Sequence, residues 1–404
     1  MRILHISTRL ILGGSQENTV LSCEGQANLG HNVHLAFGPI FGPEGSLRDR
    51  VAQFRTQDNR AMTMHEIPSM VREISPVQDI SCYFELRELI RTIEPDIVHT
   101  HSSKAGILGR LAAWSIAKHR PASKPLGVVH TIHGPPFHKY QRRFTHSFYV
   151  HSERYAANRC HSIISVADAM TDQYLAEHVG ASSQYVTVRS GMETDRFLRA
   201  DSPEVRSNSR RSLGLDADDF VIGTVARLAE LKGHDDLLNA LADDLRTNPT
   251  WKLLWIGDGW WRNRLTQRIH ALGLSKQVVM TGLVPGDRVP NMIAAMDVLA
   301  HPSYREGLPR TVPQALLAGV CPVAYDVDGT GEACQHEHTG LLVAPGDVQS
   351  LRDAIVRLYC YPDLRAQLAR TGQAWCRDQF GAQTMVDKLE HVYTRALHIA
   401  QYQG

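Results

Sequence analysis

The sequence has no Cys-x-x-Cys pair. Its seven cysteines (Cys23, Cys82, Cys160, Cys321, Cys334, Cys360, Cys376) are scattered and odd in number, which argues against a disulfide framework and against a zinc site. A reducing cytoplasm is the expected compartment. No apolar run reaches the ~18–20 residues that cross a bilayer. The opening Met1-Arg2-Ile3-Leu4-His5-Ile6 begins as a strand, without the apolar stretch of a signal peptide. The expectation is a soluble or peripheral chain, not an integral one. Neither charge dominates: 43 Lys and Arg against 42 Asp and Glu leave a formal net charge of +1, so nothing in the average points to a nucleic acid. Any basic surface must be local. The Gly-x-Gly-x-x-Gly dinucleotide fingerprint is missing after the first strand, which weakens a dehydrogenase reading. There is no low-complexity tract and no short repeat.

What is present is a globular composition, 43% hydrophobic and 21% charged over 404 residues, enough for two domains with their own cores. Short apolar runs alternate with longer amphipathic ones. Ile3–Ile6, Val33–Phe37, Ile97–His99, Val128–Ile132, Ile163–Val166 and Val186–Val188 read as buried strands. Tyr83, Leu86, Leu89, Ile90 and Ile93 share one helical face, and Ala105 to Ala117 is a second helix. The pattern restarts with Val221–Val225, Leu253–Ile256, Val278–Met280, Val298–Ala300, Val323–Tyr325 and Leu341–Val343. Strand, helix, strand repetition predicts α/β architecture with parallel sheets covered on both faces. Residues 191–219, with Gly191, Pro203, two Ser-Arg runs and an Asp-rich turn, have the composition of a linker. The predicted organisation is two tandem doubly wound, Rossmann-like domains, 1–195 and 196–375, with a C-terminal helix over 376–404. Ligands of such sheets sit beyond the carboxyl ends of the strands, so a central cleft is expected.

Chemistry-bearing residues cluster where those strands end. Gly13-Gly14 lies between the first strand and a helix predicted to stop at Gly30; glycines there let backbone N–H groups approach a phosphate, although a plain turn explains them equally well. His99-Thr100-His101-Ser102 ends a strand and is expected to line a cleft; His133-Gly134 ends the next. His133 is the better candidate for contact with a sugar hydroxyl or a transition state. Metal ligation by His99 and His101 lacks an acidic partner. Arg227 and Lys232, with Gly233 next, follow the strand Val221–Val225. Fixed cations there can neutralise a departing diphosphate. Glu306, after the strand Val298–Ala300, can hold sugar hydroxyls. Thr311-x-x-Gln314 has the form of a capping box, Glu332 can cap a helix or face the cleft, and the Asp pairs 218/219, 235/236 and 243/244 read as caps. Residues 138–159 hold His138, Lys139, Arg142, Arg143, His146, His151, Arg154 and Arg159 among Tyr140, Phe144, Phe148, Tyr149 and Tyr155. That segment suits peripheral contact with an anionic membrane, or a solvated helix whose aromatic face sits in the core.

These residues carry a resemblance along nearly the whole chain. Gly13-Gly14, the run His99 to Arg110, His130-Thr131-Ile132-His133-Gly134, Arg227 to Gly233, Gly257-Asp258-Gly259, Pro302 to Arg310 and Gly340 to Val343 resemble the retaining family 4 glycosyltransferases of the GT-B fold, in their bacterial capsular and exopolysaccharide branch. The resemblance implies transfer of a sugar from a UDP- or GDP-linked donor to a glycan or polyprenyl-diphosphate-linked acceptor, with no metal and no other cofactor. By it, His133, Glu306, Arg227 and Lys232 are the catalytic residues. Gly13, Gly14, Val284, Leu308, Pro309, Arg310 and Gln314 bind the donor nucleotide. The family's Glu-x7-Glu motif is broken, because Gln314 stands where its second acid usually holds the ribose. Gln keeps two hydrogen bonds but loses charge assistance. Ser190-Gly191 replaces the usual Asn-Gly. The alternatives are a sugar-nucleotide-binding protein impaired in catalysis, a nucleotide-sugar epimerase on the same fold, or a phosphorylase, for which the chain lacks the expected length.

Overall fold

The computed structural model describes residues 1–40, 45–138 and 140–402; Lys139 of the basic segment lies outside them. The chain divides into two units, Met1–Met192 with Ala382–Gly404, and Glu193–Gly381. Among the described residues the first unit holds β1 (Arg2–Ser7), β2 (Asn32–Phe37), β3 (Thr63–Glu66), β4 (Ile97–His101), β5 (Gly127–Ile132), β6 (Ser162–Ser165) and β7 (Tyr185–Thr187). They form one parallel sheet in the order β3-β2-β1-β4-β5-β6-β7. The order reverses between β1 and β4, which opens a crevice at their carboxyl ends.

The second unit holds β8 (Phe220–Val225), β9 (Trp251–Ile256), β10 (Val278–Gly282), β11 (Val298–His301), β12 (Cys321–Tyr325) and β13 (Leu341–Val343). These too are parallel, in the order β10-β9-β8-β11-β12-β13, with the reversal between β8 and β11. Its core gathers Leu253, Trp255, Val298, Val323 and Tyr325 from the sheet with Leu237, Leu241, Leu351 and Ile355 from the covering helices. Central strands such as β4, β5 and β12 are buried at every position, as parallel strands roofed on both sides must be.

Two expectations need correction. Residues 191–219 are not a bare linker. They contain helices Thr194–Leu198 and Pro203–Ser212, the latter started by the Ser202 side chain accepting from the Val205 amide and by Pro203 at its first turn. Its arginines are polar by type but not by placement: Arg206 and Arg210 clamp the Asp297 carboxylate at 2.6 and 2.7 Å. The edge strand β3 was missed because Thr63–Glu66 carries no apolar run.

The closing helix Ala382–Tyr402 belongs to the first unit. Met385, Val386, Leu389, Val392, Tyr393 and Ala396 pack on Ile3, Ile97, Val129 and Ile164. The preceding helix, Pro362–Gln379, stays in the second unit.

Candidate active site

In the second unit, the loops after β8 and β11 meet at the sheet's reversal point. Leu231 (φ 62°) and Gly233 (φ 72°) flank Lys232 in left-handed backbone. A side chain at Gly233 is excluded twice, by that φ and because a Cβ would sit 1.9 Å from the Pro302 carbonyl oxygen. The Tyr304 amide and the Ser303 hydroxyl both donate to the Leu231 carbonyl, at 2.8 and 3.1 Å. On the other side, the turn Gly257-Asp258-Gly259 backs the Arg227 loop: a Cβ on either glycine would lie within 2.3 Å of the Ala226 or Leu228 carbonyl.

This stitching brings two expected site residues together. Lys232 Nζ donates to Glu306 Oε1 at 2.6 Å and lies 3.4 Å from Ser303 Oγ. His301 Nε2 lies 3.3 Å from the same carboxylate oxygen. The Glu306 amide donates to Asp328 Oδ2 at 2.7 Å, and the Gly329 amide donates to the Gly307 carbonyl at 3.0 Å, so the β12 loop fixes the Glu306 loop from behind. Burial pushes the Glu306 carboxyl upward, but Lys232 and His301 outweigh it and hold it well below the ordinary carboxylate range. The result is a carboxylate that stays ionised with an ammonium locked beside it.

The remaining donor-site candidates surround that pair less tightly. Arg227 is exposed, with its guanidinium 5.7 Å from the Trp260 ring centre. Leu308 and Pro309 are buried, and Arg310 is half-buried as the residue preceding helix Thr311–Leu317. Gln314 is half-exposed one turn into that helix. The expected capping box does not form: Thr311 is already inside the helix, and its hydroxyl lies 3.2 Å from His301 Nδ1. Val284 follows the edge strand β10, with β9 standing between it and β8. The acidic pairs are largely not caps. Asp236 accepts from both Tyr304 and Tyr325 hydroxyls, at 2.6 and 2.7 Å, while Asp235 pairs with Arg264 and Arg268 and Asp244 takes a bidentate pair from Arg352. Glu332 lies in the short helix Thr330–Ala333, its amide donating to the Gly329 carbonyl.

In the first unit, Gly13 is extended (φ −172°) and immediately precedes helix Gly14–Asn28; both glycines are exposed. No side chain caps that helix by a hydrogen bond, and the Gln16 side-chain oxygen lies 2.7 Å from where a Cβ on Gly13 would sit. His133 is half-buried just past β5. His99, Thr100 and His101 do not line a cleft as expected: all three are buried. The parallel register sets His5 beside His99, and His101 two residues on along the same face. His5, His99 and His101 offer ring nitrogens within 4.8 Å of one another. Those nitrogens are already used: His5 by Gln26 and His101, His99 by Tyr393 and Thr131, His101 by His5 and His133. Burial brings the His5 imidazole down to about 4 and pushes His99 and His101 well below their ordinary value. A cation would have to break those bonds, and among the described residues no carboxylate joins the three histidines to compensate it.

The basic segment forms helix Arg143–Ala157. Its aromatic face is not in the core. Phe144 is 85% exposed, and Phe148, Tyr155 and Tyr140 are exposed as well. Phe144, Phe148 and Tyr155 join Ile107, Ser147 and His151 around an open hollow of about 450 Å³. The helix is anchored instead by Val150, Ala156 and Ala157 and by a buried ion pair, Arg110 to Glu153 at 2.7 Å. Among the described residues no helix is long and apolar enough to cross a membrane. None of the seven cysteines is paired, and all but Cys360 are buried.

Sequence reasoning missed His301, Ser303 and Asp328. A His closing β11, five residues before Glu306, was a usable signal for the first. The other two depend on loop geometry that periodicity does not report.

Known proteins match this arrangement. The sequence model of the family described as Glycosyltransferase Family 4 matches residues 12–196, and that of Glycosyl transferases group 1 matches residues 205–375. The chain is 26% identical over 363 residues to the UDP-Gal:alpha-D-GlcNAc-diphosphoundecaprenol alpha-1,3-galactosyltransferase of Escherichia coli, covering 89% of this chain and 88% of that one. It is 29% identical over 305 residues to the 2-deoxystreptamine glucosyltransferase of Streptomyces kanamyceticus, covering 74% and 76%. The crystal structure of Anabaena HepE in complex with UDP and glucose superposes with a TM-score of 0.81 over 98% of this chain and 99% of that one, at 21% identity. With one family model over each sheet, and two parallel Rossmann-like domains of the GT-B type, the chain belongs to the family 4 glycosyltransferases.

Proposed function

We propose that this glycosyltransferase is retaining and metal-independent, and that it moves a sugar from a UDP- or GDP-linked donor to a glycan or lipid-linked acceptor during surface polysaccharide synthesis. The observation that carries the reading is the Lys232–Glu306 pair, 2.6 Å apart at the carboxyl ends of the strands flanking the reversal point. As the bond to the sugar breaks, the diphosphate accumulates negative charge. A fixed ammonium aimed at that charge lowers the barrier, and Arg227 adds a second cation from the same loop. Side-chain cations do the work that a divalent ion does elsewhere, which is the support for metal independence. Glu306, kept ionised, accepts hydrogen bonds from sugar hydroxyls. The resemblance supports retention, contact of His133 with the donor sugar, and roles for Gly13, Gly14, Val284, Leu308, Pro309, Arg310 and Gln314 around the nucleotide. The Escherichia coli relative's name, with its undecaprenol diphosphate, supports a lipid-linked acceptor. The exposed aromatics of helix Arg143–Ala157, with Arg142, Arg143 and Arg159, support peripheral contact with the cytoplasmic face of a membrane, each basic residue contributing about 1 kcal/mol.

The test is donor turnover. Incubation with UDP- and GDP-sugars and no acceptor should release nucleotide diphosphate slowly, at a rate unchanged by a chelator. With an acceptor alcohol added, the glycosidic product should keep the donor's anomeric configuration. Turnover abolished by chelation and restored by a divalent cation would remove the metal-independent mechanism. Tight donor binding with no release would leave only a binding protein, and isomerised nucleotide sugar would identify an epimerase. A donor at 100 times its dissociation constant should add about 2.7 kcal/mol of stability in a thermal-shift screen.

A further inference from the structure

Trp260 and Trp261 follow the turn that ends β9, and the two differ in placement. Trp261 packs on the core of the second unit, with the Arg264 guanidinium 4.3 Å from its ring centre, and its amide donates to the Leu228 carbonyl at 3.0 Å. Trp260 is 67% exposed. Its backbone is held all the same, because the loops after β8 and β9 are zipped together. The Ala226 amide donates to the Ile256 carbonyl and the Leu228 amide to the Asp258 carbonyl, both at 3.1 Å, and a Cβ on Gly259 would meet the Leu228 carbonyl oxygen at 2.3 Å. That zipper sets the indole ring centre 5.7 Å from the Arg227 guanidinium. The Gly257 amide donates to the Gly282 carbonyl at 3.2 Å and so joins the loop after β10 to the other two. Leu283, the next residue there, is exposed. Among the described residues, the other large apolar side chains exposed on this unit are Tyr359 and Tyr361. Tyr359 rests on Phe220 and Trp251, which open β8 and β9, so it marks the opposite end of the sheet.

A lone exposed aromatic is ordinary. Two exposed apolar side chains on joined loops, beside a cation at the carboxyl edge of a parallel sheet, stand where such sheets bind ligands. The strand order indicates which part of a ligand lies there. Glu306, for the sugar, follows β11; Arg227 and Lys232, for the diphosphate, follow β8; Trp260 follows β9 and Leu283 follows β10. Neighbouring strands are about 4.8 Å apart, so the step from β11 to β9 is about 10 Å, which suits two rings bridged by a diphosphate. On the other side of β11, the segment after β12 carries Asp326, Asp328 and Glu332 and, among the described residues, no exposed aromatic. The acceptor attacks at the sugar, not at the far end of the diphosphate. We infer that Trp260 is the platform on which the donor's nucleobase stacks. Every base offers a flat π-face, so such a stack takes uracil or guanine alike. This rests on the proposed donor site and adds to it the residue that holds the base.

The experiment is fluorine NMR of the full chain carrying 5-fluorotryptophan at its six tryptophans, the Trp260 signal being assigned by its loss in Trp260→Phe. Saturating UDP or GDP should shift that signal, and inorganic pyrophosphate, a diphosphate without a base, should leave it in place. A nucleotide that binds in calorimetry yet leaves the Trp260 signal unmoved overturns the proposal. So does an equal shift with pyrophosphate, which would mean that Trp260 serves only to steady Arg227. Failure of both UDP and GDP to bind the unaltered protein would remove the donor-site reading itself, and the stack with it. Because the side chain is mostly exposed, Trp260→Ala should keep the wild-type melting temperature. It should weaken UDP and GDP binding about tenfold, with Trp260→Phe in between. Donor KM should rise by the same factor and kcat change little, since the base is held alike in the ground and transition states. A raised acceptor KM with an unchanged donor KM would place an acceptor sugar on the indole and overturn the proposal.

Discussion

Lys232→Ala probes the electrostatics most directly. The ammonium lies 2.6 Å from Glu306 Oε1, and the two side chains are only 29% and 14% exposed, so salt screens their charges weakly. If Lys232 meets the departing diphosphate, its loss should raise the barrier by about 3–4 kcal/mol, a decrease of about 10²–10³ in kcat. Donor KM should change little, because the interaction strengthens as charge develops. The same substitution leaves Glu306 without its principal attractive partner, and burial then drives its carboxyl upward. A stability loss is therefore expected as well, and urea unfolding must accompany the kinetics. Lys232→Met is the matched control: it keeps the aliphatic stem and removes the charge, so it should fall as far in kcat as the alanine variant. A folded Lys232→Ala enzyme with kcat within about threefold of wild type would refute the assigned role.

Other expectations follow from the same geometry. Gly233→Ala should lose about 2–3 kcal/mol in urea unfolding, since a left-handed φ of 72° and the Pro302 carbonyl both oppose a Cβ. Glu306→Gln should be less stable than wild type at pH 7. Because the folded-state carboxyl is depressed, its contribution is full above the unfolded value of about 4.3 and fades as pH falls toward the folded one; the gap should shrink across acidic pH, and a constant gap would contradict the linkage. Gln314→Glu restores charge assistance and should tighten nucleotide diphosphate binding by about 1 kcal/mol, roughly fivefold, in calorimetry. Replacing Phe144 and Phe148 by Ser should weaken sedimentation with anionic vesicles by roughly tenfold, with transfer to a water-soluble acceptor unaltered.

Most of the fold was legible because buried parallel strands write themselves as apolar runs: Val128–Ile132 and Leu341–Val343 are strands in the molecule. The strand Thr63–Glu66 was invisible because an edge strand needs no such run. Residues 191–219 misled because arginine normally marks a surface, whereas Arg210 is drawn inward by Asp297. In the site, the pairing of Lys232 with Glu306 could be anticipated from two strand ends. The histidines could not. His99 and His101 look like cleft residues one by one, and only the register against β1 and the arrival of Tyr393 from the last helix show that they are bonded in series.

The closing helix has a consequence for biosynthesis. The second unit lies entirely between the two segments of the first, so the ribosome completes it while the first sheet still lacks one of its covering layers. The second unit can fold during translation. The first must wait, its Ile3, Ile97 and Val129 surface unroofed, until Met385 to Ala396 emerges. A premature stop near residue 381 should therefore damage the opening half of the polypeptide and spare the part made just before the break.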